Sequence, residues 1–240
     1  MTTTRVERVP REGGAFDLHL WLPGAGRGPG IVLVQEIFGV SSFIEAVAER
    51  LAERGYVVGA PDLYWRTRPG YRADHDERGL NESLAAVQEL DIGKAVEDCV
   101  AGLDHLAGLD EVDGRPAILG YCLGGTLAFG AAAAGDPACC VSYYGSGVPD
   151  QLDLLGSVTC PTLFHFGDAD PYIPFEGVER LREAIAGEER FELNVEHAGH
   201  AFENHDAPMF HVEAAARSAW DRTVAFLAAH LPAAAGEPAR

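Results

Sequence analysis

Lysine is almost missing from this 240-residue chain: Lys94 is the only one, and the remaining cationic side chains are arginines. Arginine abundance here follows composition, so an arginine is weaker evidence of anion binding than usual. Positive charge is short overall. Eighteen Lys and Arg against 37 Asp and Glu leave a net charge of −19, a field that repels phosphate backbones and anionic lipid. Neither nucleic acid nor a membrane surface is an expected partner. Long apolar runs are missing too. The longest, around Leu127 to Ala134, is too short to span a bilayer. The N-terminal MTTTRVERVPREGG lacks the apolar core of a secretory signal, so a cytoplasmic protein is expected. Five cysteines are present and no two form a CxxC pair. That odd, unpaired set argues against a disulfide framework, a zinc knuckle or a thioredoxin-like site. Cys139 and Cys140 stand in an apolar run, Cys99 in a helical pattern and Cys160 just before Pro161, and all four read as structural filler.

What is present is an alternation of apolar runs with helical patterns, which predicts α/β architecture: a mainly parallel central sheet with helices on both faces. The length suits one domain over 1–240, with a small, polar, frayed tail from 232 to 240. Strands are expected at Phe16–Leu22, in an antiparallel edge hairpin, and at Ile31–Val34, Val57–Ala60, Ala138–Tyr144, Pro161–Phe166 and Phe191–Val195. Helices are expected at Phe43–Arg54, at Leu84–Leu109 in two pieces around Asp91 and Gly93, at Glu176–Ala186 and at Met209–Leu227. Asp62–Gly79, rich in aromatics, arginine and acids, has no clear period. A loop of that length is usually functional or disordered.

The most informative stretch is Ala117-Ile118-Leu119-Gly120-Tyr121-Cys122-Leu123-Gly124-Gly125-Thr126. It reads as a buried strand, a tight turn with one reactive side chain at its apex, and a helix. Gly-x-nucleophile-x-Gly in that setting is the nucleophile elbow of α/β-hydrolases, usually built on serine. Here the apex is Cys122. Gly120 and Gly124 let the two backbones close up, and the N-terminus of the helix favours a thiolate. The plainer alternative is one more small buried cysteine.

A nucleophile of this kind needs a base and a carboxylate to orient it, following in the order acid then histidine. The strand ending at Phe166 runs into Gly167-Asp168-Ala169-Asp170, and the strand ending at Val195 runs into His197-Ala198-Gly199-His200-Ala201-Phe202. Asp170 is preferred over Asp168, which equally suits a turn cap. His200, between small neighbours, is preferred over His197 and His205. Near the early strand, Val34-Gln35-Glu36-Ile37-Phe38-Gly39 occupies the place where this fold donates an oxyanion-hole N–H. Its glutamate could bond the thiol or compete with His200 for it, or simply be a surface residue.

Together GYCLGG, QEIFG, Gly167-Asp168-Ala169-Asp170 with Pro174, and AGHAF resemble the dienelactone hydrolase family (carboxymethylenebutenolidases), over roughly Phe16 to His230; PDLYWR and Tyr143-Tyr144-Gly145 also fit. The resemblance implies a single-domain α/β-hydrolase needing no cofactor. It implies Cys122 as nucleophile, His200 as base and acid, Asp170 as its partner, and the N–H groups of Ile37 and Leu123 as the oxyanion hole. Glu36 is similar to the family glutamate that holds the resting thiol and releases it when substrate binds. Arg78, Tyr143, Phe38 and Ala201 fall at substrate-binding positions. The implied reaction is opening of an enol-lactone, or cleavage of an activated ester, through a thioester.

Two departures bear on substrate. Family members that use dienelactone grip its carboxylate with two arginines; Arg78 resembles the first, but Glu203 and Asn204 stand where the second belongs, and Ala201 replaces a serine. Losing one charged hydrogen bond costs about 1.5–3 kcal/mol. Arg66, Arg68 and Arg72 could compensate from the long loop. Hydrolysis of uncharged esters or lactones by the same triad is therefore an alternative. A redox- or ligand-sensing thiol without catalysis is a third. The expected partner is a small-molecule lactone or ester, and the expected assembly a monomer or small homo-oligomer.

Overall fold

A computed structural model describes residues 2–233. Its eight strands form one sheet: β1 (Thr3–Arg11), β2 (Gly14–Leu22), β3 (Gly30–Val34), β4 (Val57–Pro61), β5 (Ala117–Tyr121), β6 (Cys140–Tyr143), β7 (Thr162–Gly167) and β8 (Phe191–Glu196), in the order β1-β2-β4-β3-β5-β6-β7-β8. β1 and β2 form an antiparallel hairpin that joins β4 antiparallel, and all other pairings are parallel. β3 to β7 are buried along their whole length. Continuous apolar runs rather than alternation are what a parallel sheet covered on both faces requires.

Six helices provide the cover: α1 (Ser42–Glu53), α2 (Glu77–Gln88), α3 (Ile92–Ala107), α4 (Leu123–Ala134), α5 (Phe175–Ala184) and α6 (Glu213–His230). The guanidinium of Arg50 on α1 lies 3.7 Å over the ring of Trp220 on α6, so these two share one face. α3 and α4 pack together on the other. The break expected around Asp91 is a helix start: the Asp91 carboxylate accepts from the Lys94 N–H, as Asp76 accepts from Gly79 at the start of α2. α4 is apolar all round and buried from Leu123 to Ala132, which fits its central position behind β5.

The 62–76 segment is ordered turn rather than free loop. Asp62 caps it by accepting from Tyr64 and Gly70, and a bridge from Arg72 to Gly39 ties it to the end of β3. Gly39 adopts φ +78° and an added Cβ would stand 2.0 Å from the Tyr71 carbonyl oxygen, so this approach is open only to glycine. Of the tail expected at 232–240, residues 234–240 lie outside the described residues.

Candidate active site

The site assembles at the carboxyl ends of the parallel strands, where folds of this type place their ligands. At the β5–α4 turn Cys122 has φ 55° and ψ −118°, a strained backbone for a residue with a side chain. Two glycines make the turn possible. A Cβ on Gly120 would come within 2.0 Å of the Gly124 carbonyl oxygen, and one on Gly124 within 2.3 Å of the Val34 oxygen. The Cys122 N–H donates to Tyr143 (3.0 Å), anchoring the turn to β6. Cys122 is half-exposed, whereas the other four cysteines are buried and all five are unpaired.

The Cys122 sulfur lies 3.2 Å from His200 Nε2, and His200 Nδ1 lies 2.7 Å from Asp170 Oδ2. A carboxylate only accepts, so Nδ1 carries the proton and Nε2 faces the sulfur. Asp170 is itself fixed, because its Oδ1 accepts from the N–H groups of Tyr172 (2.8 Å) and Ile173 (3.2 Å). The loops after β7 and β8 interlock: the Ala169 N–H donates to the Ala198 carbonyl at 3.0 Å. Burial opposes charge on His200, but the neighbouring Cys122 sulfur and the Asp170 carboxylate outweigh it, and its pKa is pushed up to about 10. The competing residues pair elsewhere. His197, with a side chain 95% exposed, binds Asp168 at 2.9 Å on the surface, and His205 packs edge-on against Phe43.

The β3–α1 loop faces the elbow. Gln35 spans it, donating to the Glu36 carbonyl (3.3 Å) and accepting from the Leu63 N–H (3.2 Å). The Tyr64 hydroxyl donates to the Ile37 carbonyl at 2.9 Å and orients the peptide after Ile37, while the Gln35 bond to the Glu36 carbonyl orients the one that carries the Ile37 N–H. Leu123 opens α4, so its N–H has no partner four residues back. Glu36, 2% exposed, does not bond the thiol. Its Oε2 accepts from Asn204 Nδ2 at 2.7 Å and lies 3.3 Å from His75 Nε2.

The remaining positions separate. Phe38 packs at a tilt against His75 with ring centres 4.1 Å apart, beside Glu36. Ala201 sits in the turn after His200 with φ 52°, buried and without a polar group to offer. Arg78 is not in the cluster: on α2 its side chain is 84% exposed and paired with Glu82 one turn on. Tyr143 is not a wall of the site either. Its ring stacks between Tyr121 and His165, and its hydroxyl meets Thr223 at 2.6 Å, wholly inside the protein. Successive strand residues face opposite sides, and it is Tyr144, one residue later, whose ring lies 5.2 Å from His200. Arg66 pairs with Asp98, Arg68 with Glu89 and Arg72 with Glu45.

Sequence reasoning missed His75, Tyr144 and Tyr172, the last an exposed ring edge-on to His200 at 5.2 Å. Tyr172 follows the acidic turn directly and Tyr144 follows its strand, positions that a strand-end rule could have marked. His75, in the aperiodic segment, carried no signal of its own.

Known proteins resemble this chain in sequence and in fold. The family model for the dienelactone hydrolase family matches residues 16–231. The chain is 38% identical to a carboxymethylenebutenolidase of Pseudomonas sp., covering 95% of both chains. It is 34% identical to carboxymethylenebutenolidase 1 of Cupriavidus pinatubonensis, covering 95% of this chain and 97% of the other. Among solved structures, a candidate dienelactone hydrolase from Klebsiella pneumoniae superposes with a TM-score of 0.81 at 28% identity, covering 95% of this chain and 99% of that one. Sequence and fold thus agree, and the chain belongs to the dienelactone hydrolase family, a hydrolase of ester and lactone bonds.

Proposed function

We propose that the chain acts as a single domain that hydrolyses lactones and activated esters through a thioester on Cys122. The observation that carries this reading is the unbroken chain Cys122–His200–Asp170, at 3.2 and 2.7 Å, at the strand ends. The Cys122 thiolate adds to the carbonyl carbon, and the oxygen takes up negative charge facing the N–H groups of Ile37 and Leu123. One such donor contributes about 3 kcal/mol to the transition state. The tetrahedral species collapses, the C–O bond breaks, and the departing enolate or alkoxide takes the proton from His200 Nε2. His200, now neutral, draws a proton from water, which adds to the thioester. Collapse expels the thiolate, releases the acid and restores the charged pair.

An uncharged acyl group is favoured at this site. Each of Arg66, Arg68, Arg72 and Arg78 is engaged by an acid of the chain, and Glu36 and Glu203 are buried nearby. An anionic substrate would meet no uncommitted arginine among these. Five unpaired cysteines suit a reducing compartment, which supports a cytoplasmic protein. Among the described residues no helix is long and apolar enough to cross a membrane.

The test is turnover of p-nitrophenyl acetate, a dienelactone and its methyl ester. Cys122→Ala and His200→Ala each abolish turnover, and intact mass shows an acyl adduct on Cys122. Wild-type-like activity in either variant overturns the reading. The methyl ester gives the higher kcat/KM; a strong preference for the free acid would reverse the substrate assignment.

A further inference from the structure

Glu36 is held by two residues that have no part in the triad. Asn204 donates to it at 2.7 Å, and the direction of that amide is fixed because Asn204 Oδ1 accepts the Asp206 N–H at 2.9 Å. His75 approaches the same oxygen at 3.3 Å, and since a carboxylate only accepts, Nε2 is its protonated nitrogen. Glu36, Asn204 and the His75 side chain are all at least nine-tenths buried. His75 is in turn pinned by the Phe38 ring, and its segment is sewn to the Glu36 loop by the Ala73 N–H to Phe38 carbonyl bond at 3.1 Å. The thiol meanwhile has its own partner in His200.

Resting on the hydrolase reading above, we propose that Asn204 and His75 are positioning residues that lock Glu36 away from Cys122, so the nucleophile stands armed before any substrate arrives. A glutamate that guards the resting thiol must be displaced by substrate, and a bound carboxylate is suited to that. A glutamate already held by an amide and an imidazole needs no such trigger. The lock therefore widens the substrate class to uncharged esters and lactones, and leaves the free enzyme open to neutral electrophiles. To reach the sulfur, Glu36 would have to give up both bonds inside a desolvated site, where unpaired charge is most costly.

Iodoacetamide tests this without any substrate, because it is neutral and reads the thiol alone. In the free wild type at pH 7, Cys122, identified by peptide mass, is alkylated at least tenfold faster than cysteine in a short peptide, and the neutral product of an ester assay does not accelerate it. Asn204→Ala and His75→Gln each slow alkylation at least fivefold, and adding Glu36→Gln to either restores the rate. Circular dichroism checks folding, and should one single variant fail to fold, the other decides. Slow alkylation of the free wild type overturns the lock, as does an unchanged rate in the folded single variants. Slowing that persists in the Glu36→Gln background also overturns it, since the effect would then not pass through Glu36. Ester turnover is scored separately: fast alkylation without hydrolysis would sink the hydrolase reading and leave the lock standing.

Discussion

Arg50 reaches from α1 into the protein and donates to the carboxylate of Glu203 at 2.9 Å, with its guanidinium over the Trp220 ring. Glu203 is 2% exposed, and its second oxygen has no partner. Burial pushes its pKa up to about 7, with Arg50 offsetting only part of the effect. The folded chain thus holds this proton more tightly than the unfolded chain does. Its contribution favours folding at acid pH and is lost as pH rises from the ordinary carboxyl range through about 7. Glu203→Gln removes that slope, a difference on the order of 3 kcal/mol between pH 5 and 8. Urea midpoints for the two proteins across this range measure it; parallel profiles would refute the account. Arg50→Ala leaves the buried carboxylate uncompensated and costs on the order of 2–4 kcal/mol at pH 7, the lower end if Glu203 takes up a proton.

The pH dependence of activity has the opposite origin. His200 is held protonated well above its ordinary value, up to about 10. The stability this charge contributes is complete below the unfolded value of about 6.5 and is lost as pH rises through about 10. In the proposed mechanism an alkyl ester needs the His200 proton for its leaving alkoxide. Its kcat/KM is expected to hold through pH 9 and fall near 10, while iodoacetamide alkylation, which needs no such proton, continues. Asp170→Asn takes away one of the groups holding the proton, shifts the fall to lower pH and lowers kcat by about 10²–10⁴-fold.

Much of this was legible in the residues. The elbow, its glycines and the strand-then-acid, strand-then-histidine order are local signals, and β5, β7 and β8 carry them as expected. What local pattern could not give was the direction of side chains. Tyr143 and Tyr144 are adjacent in sequence, but the first ends a strand against Thr223 while the second, at φ 37°, turns its ring toward His200. Arg78 shows the same limit: α2 begins at Glu77, one residue earlier, and a first-turn residue with Glu82 four ahead finds its partner on its own helix. The pairing of Glu36 with Asn204 spans 168 residues, and no periodicity reports on such a contact.

Asp98 organises the segment that carries Tyr64 and His75. It is fully buried and accepts from Arg11 Nε (3.0 Å), Trp65 Nε1 (2.9 Å) and both terminal nitrogens of Arg66. Asp98→Ala leaves the Arg66 guanidinium and the Trp65 indole N–H without their acceptor, while Arg11 keeps Glu97 at 3.2 Å, at a cost of about 2–4 kcal/mol. Loss of anchorage at Trp65 and Arg66 also loosens the neighbouring Tyr64, whose hydroxyl holds Ile37. A fall in both the urea midpoint and kcat is therefore expected. A stability loss with kcat unchanged would show that this hub supports the fold alone.

The elbow itself offers the sharpest test of geometry. Gly124 is at the second position of α4, where alanine would ordinarily improve a helix by up to about 1 kcal/mol. Here a Cβ would stand 2.3 Å from the Val34 oxygen and 2.5 Å from the Gln35 oxygen, both backbone atoms of the strand and loop leading to Ile37. These cannot rotate away as a side-chain tip could, so α4 and β3 must separate. Gly124→Ala is expected to destabilise by about 1–3 kcal/mol, as overpacking does. It should also shift Leu123 against Ile37 and reduce kcat for ester hydrolysis by about 10²-fold or more, the effect expected from losing one of the proposed oxyanion donors. Gly93→Ala is the control. Near the start of α3 its Cβ would meet only the Asp91 carboxylate, at 3.4 Å, an ordinary contact. It should keep full activity with equal or higher Tm. Equal behaviour of the two variants in thermal melts and ester turnover would refute the close approach on which the strained Cys122 turn depends.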